Sequence, residues 1–164
     1  MISSFQRTTI FCRDAEQSLQ LYRDILGFEV IEDKTISGPA AGALIQLPDC
    51  TLRMLLLATS KAAEPVIGLF QVTDAAVDAV QCARDRICYG QTAIVLSTDD
   101  FEGVEKRLVD AGTDFLTKPL SYEKKVASAY SPAGIYREMI FYDPDGVLVS
   151  VLQILPLPTE ELNP

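Results

Sequence analysis

The sequence has no histidine and no tryptophan, and its 14 lysines and arginines are outnumbered by 23 aspartates and glutamates. Without histidine, a Ser–His–Asp mechanism is excluded, and so is any metal centre built on imidazole. With a net charge of −9 and a pI near 4.4, no phosphate-neutralising face is available, which argues against nucleic acid as a partner. No apolar run reaches the length of a membrane span, and the N-terminus lacks a basic segment followed by an apolar one. None of the four cysteines (Cys12, Cys50, Cys82, Cys88) forms a Cys-x-x-Cys pair. The expectation is reduced thiols in a soluble, cytoplasmic protein. Close to half the residues, 48%, are apolar, enough for a substantial core.

Within the chain, one plan occurs twice. "TTIFC" (8–12) is rich in β-formers, and Asp14 can cap a helix with Gln17 completing a capping box. Ala15, Ser18, Leu19, Tyr22, Ile25 and Leu26 fall on one helical face, Gly27 supplies a left-handed stop, and "FEVIED" alternates as a half-buried strand. Later "TAIVLST" (92–98) is a β-type run, Asp99 with Glu102 predicts a second cap, and Phe101, Val104, Leu108 and Ala111 form a stripe ending at Gly112. The two units superpose at an offset of 85 residues. Strand-type runs follow each: "GALIQL", "TLRMLLLA" and "VIGLFQV" in the first half, and "TDFLTKP" before a Pro-marked turn, "YREMIFY" and "VLVSVLQIL" in the second. The last two flank "DPDG", a hairpin turn without the oxygen-rich spacing of a calcium loop. Asp74 can cap a short helix in the segment joining the halves. The expected division is a first module at 1–72, a connecting segment at 73–89, a second module at 90–155 and a tail at 156–164.

Three stretches carry a resemblance: "RDAEQSLQLYRDILGFEV", "STDDFEGVEKRLVDAGTDF" and "REMIFYDPDGVLVSVLQ". In this order they resemble the vicinal oxygen chelate superfamily, which includes glyoxalase I, bleomycin-resistance proteins and extradiol dioxygenases. The resemblance implies an α+β fold of two βαβββ modules, a cupped mixed sheet with helices outside, and a homodimer with a pocket near the subunit interface. Metal-dependent members place one ligand on a strand of each quarter of the cup. Carried over by position, the first place falls on Arg7, where histidine or glutamine is usual. The second falls on Gly68, or near Arg53 or Met54 if "TLRML" is the strand concerned. The third falls on Thr92 or Ala93, according to which aspartate of the Asp99–Asp100 pair is matched, and the fourth on Ser150 in place of glutamate.

A guanidinium cannot coordinate a metal, and the remaining positions offer no ligand set. The expectation is therefore a family fold with no metal and no cofactor, binding a small organic ligand in the cup. Arg7 suits an oxyanion through paired donors, or it pairs with a carboxylate such as Glu138 and serves only structure. Ser150 offers a hydroxyl donor, and Gln71, Ala93, Tyr89, Tyr122 and Tyr136 are candidates for the pocket lining. Glu138 lies in an otherwise apolar strand, and only one of Arg137 and Glu138 can face the cup. The alternative is a lyase, isomerase or dioxygenase of the glyoxalase group acting on a small oxygenated substrate, with Arg7 in place of the metal and Glu138 or a tyrosine as base. A third possibility is a cup filled by its own side chains. Gly68, Ala93 and Ser150, small at three inward places, argue for an open one.

Overall fold

The computed structural model describes residues 1–158; the expected tail therefore falls largely outside the described residues, from 159 onward. The chain forms two compact units, one of residues 1–81 with 143–145 and one of residues 82–142 with the chain from 146 onward.

In the first unit β1 (Thr8–Phe11) leads to α1 (Ala15–Leu19), which continues as a π-helix over Gln20–Ile25, and then to β2 (Glu29–Ser37), α2 (Pro39–Ile45), β3 (Thr51–Ala58) and β4 (Ile67–Val72). The sheet order is β1-β4-β3-β2, with β1 parallel to β4 and the other pairs antiparallel. The second unit holds β5 (Ala93–Ser97), α3 (Phe101–Asp110), β6 (Phe115–Lys124), β7 (Gly134–Tyr142) and β8 (Leu148–Leu155), ordered β5-β8-β7-β6 with the same strand directions. These are the two βαβββ modules that the sequence predicts.

Four local expectations change. "GALIQL" is not a strand: Pro39 sits in the first turn of α2, where its missing N–H costs nothing, and most of the run is helical. Gly42 lets α2 close on its following loop, because a Cβ there would stand 1.9 Å from the Leu47 carbonyl oxygen. The second cap is Asp100, not Asp99; its carboxylate accepts from the Gly103 N–H at 3.0 Å. Asp74 caps no helix and instead accepts from the Thr51 N–H at 2.7 Å. Pro119 does not end its strand either. It lies within β6, an edge strand whose pairing with β7 shifts register between Thr117 and Leu120, so no ladder N–H is demanded of it.

The shift of the cap explains the first helix. Asp14 stands thirteen residues before Gly27, whereas Asp100 stands twelve before Gly112. The extra residue is absorbed as π-helix, marked by the bond from the Leu26 N–H to the Leu21 carbonyl at 3.0 Å. It also turns Leu21 inward (6% exposed), which a regular 3.6-residue stripe does not predict, while Ile25 and Leu26 are only half-buried.

On its helix side each sheet presents a buried apolar face: Ile10, Leu55, Leu57, Ile67 and Leu69 in the first unit, and Met139, Phe141, Val149 and Val151 in the second. Ala15, Leu19 and Tyr22 of the first helix, and Phe101, Val104 and Leu108 of α3, are buried on these sides. The same polar clamp fixes both helices. Arg53 and Gln71 are register partners across β3 and β4, and Arg137 and Gln153 are register partners across β7 and β8. Arg53 reaches Glu16 at 2.8 Å and Arg137 reaches Glu102, each glutamate standing two residues after its cap. Gln71 accepts from the Ala15 N–H and donates to the Arg13 carbonyl; Gln153 donates to the Asp99 carbonyl. The arginines and amides thus satisfy the groups at each helix start, where backbone partners run out.

Candidate functional site

Strand register settles which residues occupy equivalent places on the faces away from the helices. Gln71 and Gln153 correspond through the clamp, so three positions earlier Gly68 corresponds to Ser150. Thr9 pairs with Gly68 and Val95 with Ser150, so Arg7 corresponds to Ala93, in agreement with Asp14 matching Asp100. Of the open alternatives, Ala93 and Gly68 are thus the repeat-equivalent places. Arg53 lies on the opposite face, bound to Asp33 and Glu16, and so does Gln71, whose amide is committed to the start of α1.

On the first sheet Arg7 lies across Gly68 and beside Phe70. Its guanidinium carbon stands 5.7 Å from the Phe70 ring centroid, and a Cβ on Gly68 would stand 3.3 Å from Arg7 Nε and from Thr9 Oγ1. Glycine at 68 lets the arginine lie flat on the strand. Arg7 Nε is buried and has no hydrogen-bond partner among the described residues. A buried guanidinium N–H without an acceptor costs free energy, so this donor invites an oxygen acceptor. Part of this face is roofed by α2 and its loop: Ala41, Cys50, Leu52, Met54 and Phe70 form a buried cluster, with Ile36, Ile45, Leu47, Leu56 and Val72 around it. Phe70 is thus shared between this cluster and Arg7, and Phe11 at the end of β1 is 55% exposed.

Among the described residues the second unit has no helix corresponding to α2. Tyr136, Glu138, Ser150 and Tyr122 share its helix-free face by register. Ser150 Oγ, 3% exposed, donates to Glu138 Oε1 at 2.6 Å, and Tyr122 OH donates to Glu138 Oε2 at 3.3 Å. Tyr122 stacks on Tyr136 at 5.3 Å between centroids, and Tyr136 OH donates to the Pro132 carbonyl at 2.7 Å. Burial and the Glu138 carboxylate raise the Tyr122 pKa, which keeps the phenol a donor. Arg137 points the other way, over the Phe101 ring at 4.5 Å, so alternation gives the helix-free face to Glu138. Val95, Leu120 and Tyr122 on this face are 62%, 44% and 45% exposed, leaving an apolar, aromatic-edged floor around one carboxylate. Ala93 lies exposed at its β5 edge. Tyr89, exposed in the connecting segment, contributes to neither face.

The four places carried over from the family hold a guanidinium, a glycine, an alanine and a hydroxyl already given to Glu138. That donor set does not fit a divalent ion. Among the described residues no three His, Cys, Asp or Glu side chains converge where a metal could be held. Cys12 is a packing residue: burial, and then the Asp145 carboxylate, push its thiol pKa up to about 11.

The profile of the glyoxalase/bleomycin resistance protein/dioxygenase superfamily matches residues 4–151. The chain belongs to this superfamily. Among solved structures it is similar to a glyoxalase family protein from Bacillus cereus, at 14% identity and a TM-score of 0.72, covering 94% of this chain and 96% of that one. It is similar also to the trypanothione-dependent glyoxalase I of Leishmania major, at 15% identity and a TM-score of 0.58 over 93% of this chain and 87% of that one. A fosfomycin resistance protein from Listeria monocytogenes, in complex with Mn(II) and sulfate, matches at 16% identity and a TM-score of 0.53, covering 93% of each chain. At these identities the likeness is one of fold. No curated protein matches the sequence significantly. No helix among the described residues is long and apolar enough to cross a membrane.

Sequence reasoning missed the Arg–Gln clamps, Thr9 and Phe70 beside Arg7, and the α2 roof. The clamps had a signal, since Arg and Gln recur at matching strand positions in both halves. Thr9 and Phe70 follow from alternation, two residues on from Arg7 and Gly68. Only the proline of α2 hinted at the roof.

Proposed function

We propose that the protein binds a small organic ligand without a metal, on the helix-free faces of its sheets, with Arg7 holding an oxygen of the ligand. The observation that carries this is the buried Arg7 Nε–H, which has no hydrogen-bond partner among the described residues; by the resemblance it stands at the first of the family's metal-ligand places. In relatives a cation would fix an oxygen there; a guanidinium supplies fixed positive charge and directed donors instead. The ligand is accordingly neutral or anionic at that end, a carboxylate, phosphonate or enolate. A homodimer with the pocket near its interface belongs to the same proposal and rests on the family resemblance.

Metal content after purification without chelators, repeated after loading with zinc, nickel, manganese and iron, is the first test. The expected result is a substoichiometric metal in both samples; one bound equivalent overturns the proposal. Calorimetric titration with small carboxylates and phosphonates should give binding that falls roughly tenfold or more in Arg7→Ala. Equal affinity in both proteins would remove Arg7 from the site.

The arrangement of Ser150, Tyr122 and Glu138 favours a second reading, a lyase, isomerase or dioxygenase in which Glu138 moves a proton. Turnover of a small oxygenated substrate that is lost in Glu138→Gln while ligand affinity persists would establish it.

A further inference from the structure

Along β1 the side chains of Arg7, Thr9 and Phe11 alternate onto the helix-free face, while Ile10 is buried on the other side. They run in order from charged to apolar. Arg7 Nε and Thr9 Oγ1 each lie 3.3 Å from the point that a Cβ on Gly68 would occupy, and Phe70 Cε1 lies 3.1 Å from it. The missing side chain of Gly68 therefore leaves a notch on which two donors converge, with an aromatic ring on a third side. The Arg7 guanidinium forms no hydrogen bond or ion pair among the described residues. Arg7 as a whole is half-buried, so a small turn about its outer torsions presents Nε–H to a ligand. Beyond Thr9, Phe11 is 55% exposed, and its ring meets that of Phe70 edge to face, at 6.0 Å and 89°. Among the described residues no third ring joins this pair.

We infer that the ligand held by Arg7 is an aryl carboxylate, its carboxylate over Gly68 between Arg7 and Thr9 and its ring against Phe11. The inference rests on the metal-free reading of the same site. A carboxylate brings one flat edge of oxygens, which suits one guanidinium and one hydroxyl. A phosphonate brings three oxygens in a tetrahedral array, and the notch offers donors on two sides only, with Phe70 closing the third. Thr9 and Phe11 stand roughly 7 Å apart along the strand. A ring bonded directly to a carboxylate at Thr9 thus reaches the spacing of about 4.5–7 Å at which aromatic pairs attract. A saturated ring of the same size buries similar area there but has no quadrupole to match that of Phe11. Arg7 and Thr9 anchor the ligand, and Phe11 tells an aromatic ring from an aliphatic one.

The test titrates the whole protein with benzoate, cyclohexanecarboxylate and phenylphosphonate at one ionic strength, following amide chemical shifts. Benzoate should bind tighter than cyclohexanecarboxylate by roughly threefold or more. Phe11→Leu should abolish that preference while the affinity for cyclohexanecarboxylate persists. Thr9→Val, which keeps the shape and removes the hydroxyl, should weaken both acids roughly tenfold. Equal affinities for the two acids, a preference that survives Phe11→Leu, or tighter binding of phenylphosphonate would overturn the aryl carboxylate and leave Arg7 as the anchor. Binding of none of the three probes, or binding indifferent to Arg7→Ala, would overturn the metal-free reading and this inference with it. Urea midpoints of Phe11→Leu and Thr9→Val that match the parent exclude misfolding as the reason for a lost affinity.

Discussion

The two halves agree on one side of their sheets and differ on the other. On the helix side Arg53, Gln71 and Glu16 repeat as Arg137, Gln153 and Glu102, each set fastening the start of a helix. On the far side Arg7 faces a glycine strand and lies beside the α2 roof, whereas its counterpart Ala93 leaves room beside a sheet carrying Glu138, Ser150 and two stacked tyrosines. The helix side must solve one problem twice, burying an apolar stripe while satisfying the groups at a helix end, so its solution is held in common. The other face carries no such shared demand. It is where one fold can carry two different sets of side chains.

The α2 roof is the largest departure between the halves, and breaking it should have the largest effect. Gly42→Val places a branched side chain where even a Cβ would stand 1.9 Å from the Leu47 carbonyl oxygen and 2.9 Å from the Asp49 nitrogen. The expected loss is about 3 kcal/mol or more in urea denaturation. Hydrogen exchange should accelerate across β2 and β3 while β7 and β8 keep their protection; uniform acceleration would mean that the roof is not local to the first half. Next in size is Tyr22→Phe. Tyr22 OH donates at 3.0 Å to Asp143, a carboxylate only 1% exposed, and α3 buries no such polar anchor. Losing one donor to a buried charge should cost about 2 kcal/mol, read as a lower urea midpoint.

Apart from α2, the order of the strands and main helices, the repeat and the hairpin at Asp143–Gly146 are legible in the sequence because alternation, capping and glycine stops are local signals. The odd residue of the first helix is not, since Asp99 and Asp100 both look like caps and only the Gly103 N–H chooses between them. Arg7 could be placed by its distance from Asp14, but its unpartnered Nε and its path across Gly68 depend on β4 lying beside β1, a pairing across nearly sixty residues of sequence. The bonding of the Gln71 amide to the start of α1 is hidden from the sequence for the opposite reason. Its strand is evident, but whether an amide one residue from the end of β4 serves a ligand or a helix is decided by register, which alternation within one strand cannot supply.

The clamps test the shared side. Arg53→Gln and Arg137→Gln should each cost about 1 kcal/mol, with side chains 26% and 22% exposed. Costs that differ by more than the whole of that amount would show that the resemblance of the clamps is geometric only.

The smallest effect is their pH dependence. The Arg53 hydrogen bond holds the Asp33 carboxyl below the usual range, and the Arg137 bond does the same for Glu102. A carboxyl whose pKa is lower folded than unfolded stabilises the native state above the unfolded value, near 4, and that contribution disappears as the pH falls through the folded value. Both carboxyls are largely solvent-exposed, so the slope from each is modest and weakens with added salt. Thermal melts between about pH 6 and 2 should therefore fall less steeply in Asp33→Asn and in Glu102→Gln than in the parent, by similar amounts. A flattening confined to one variant would assign the acid response to one half, whereas a matched pair would show that both clamp arginines hold a carboxylate to a similar degree.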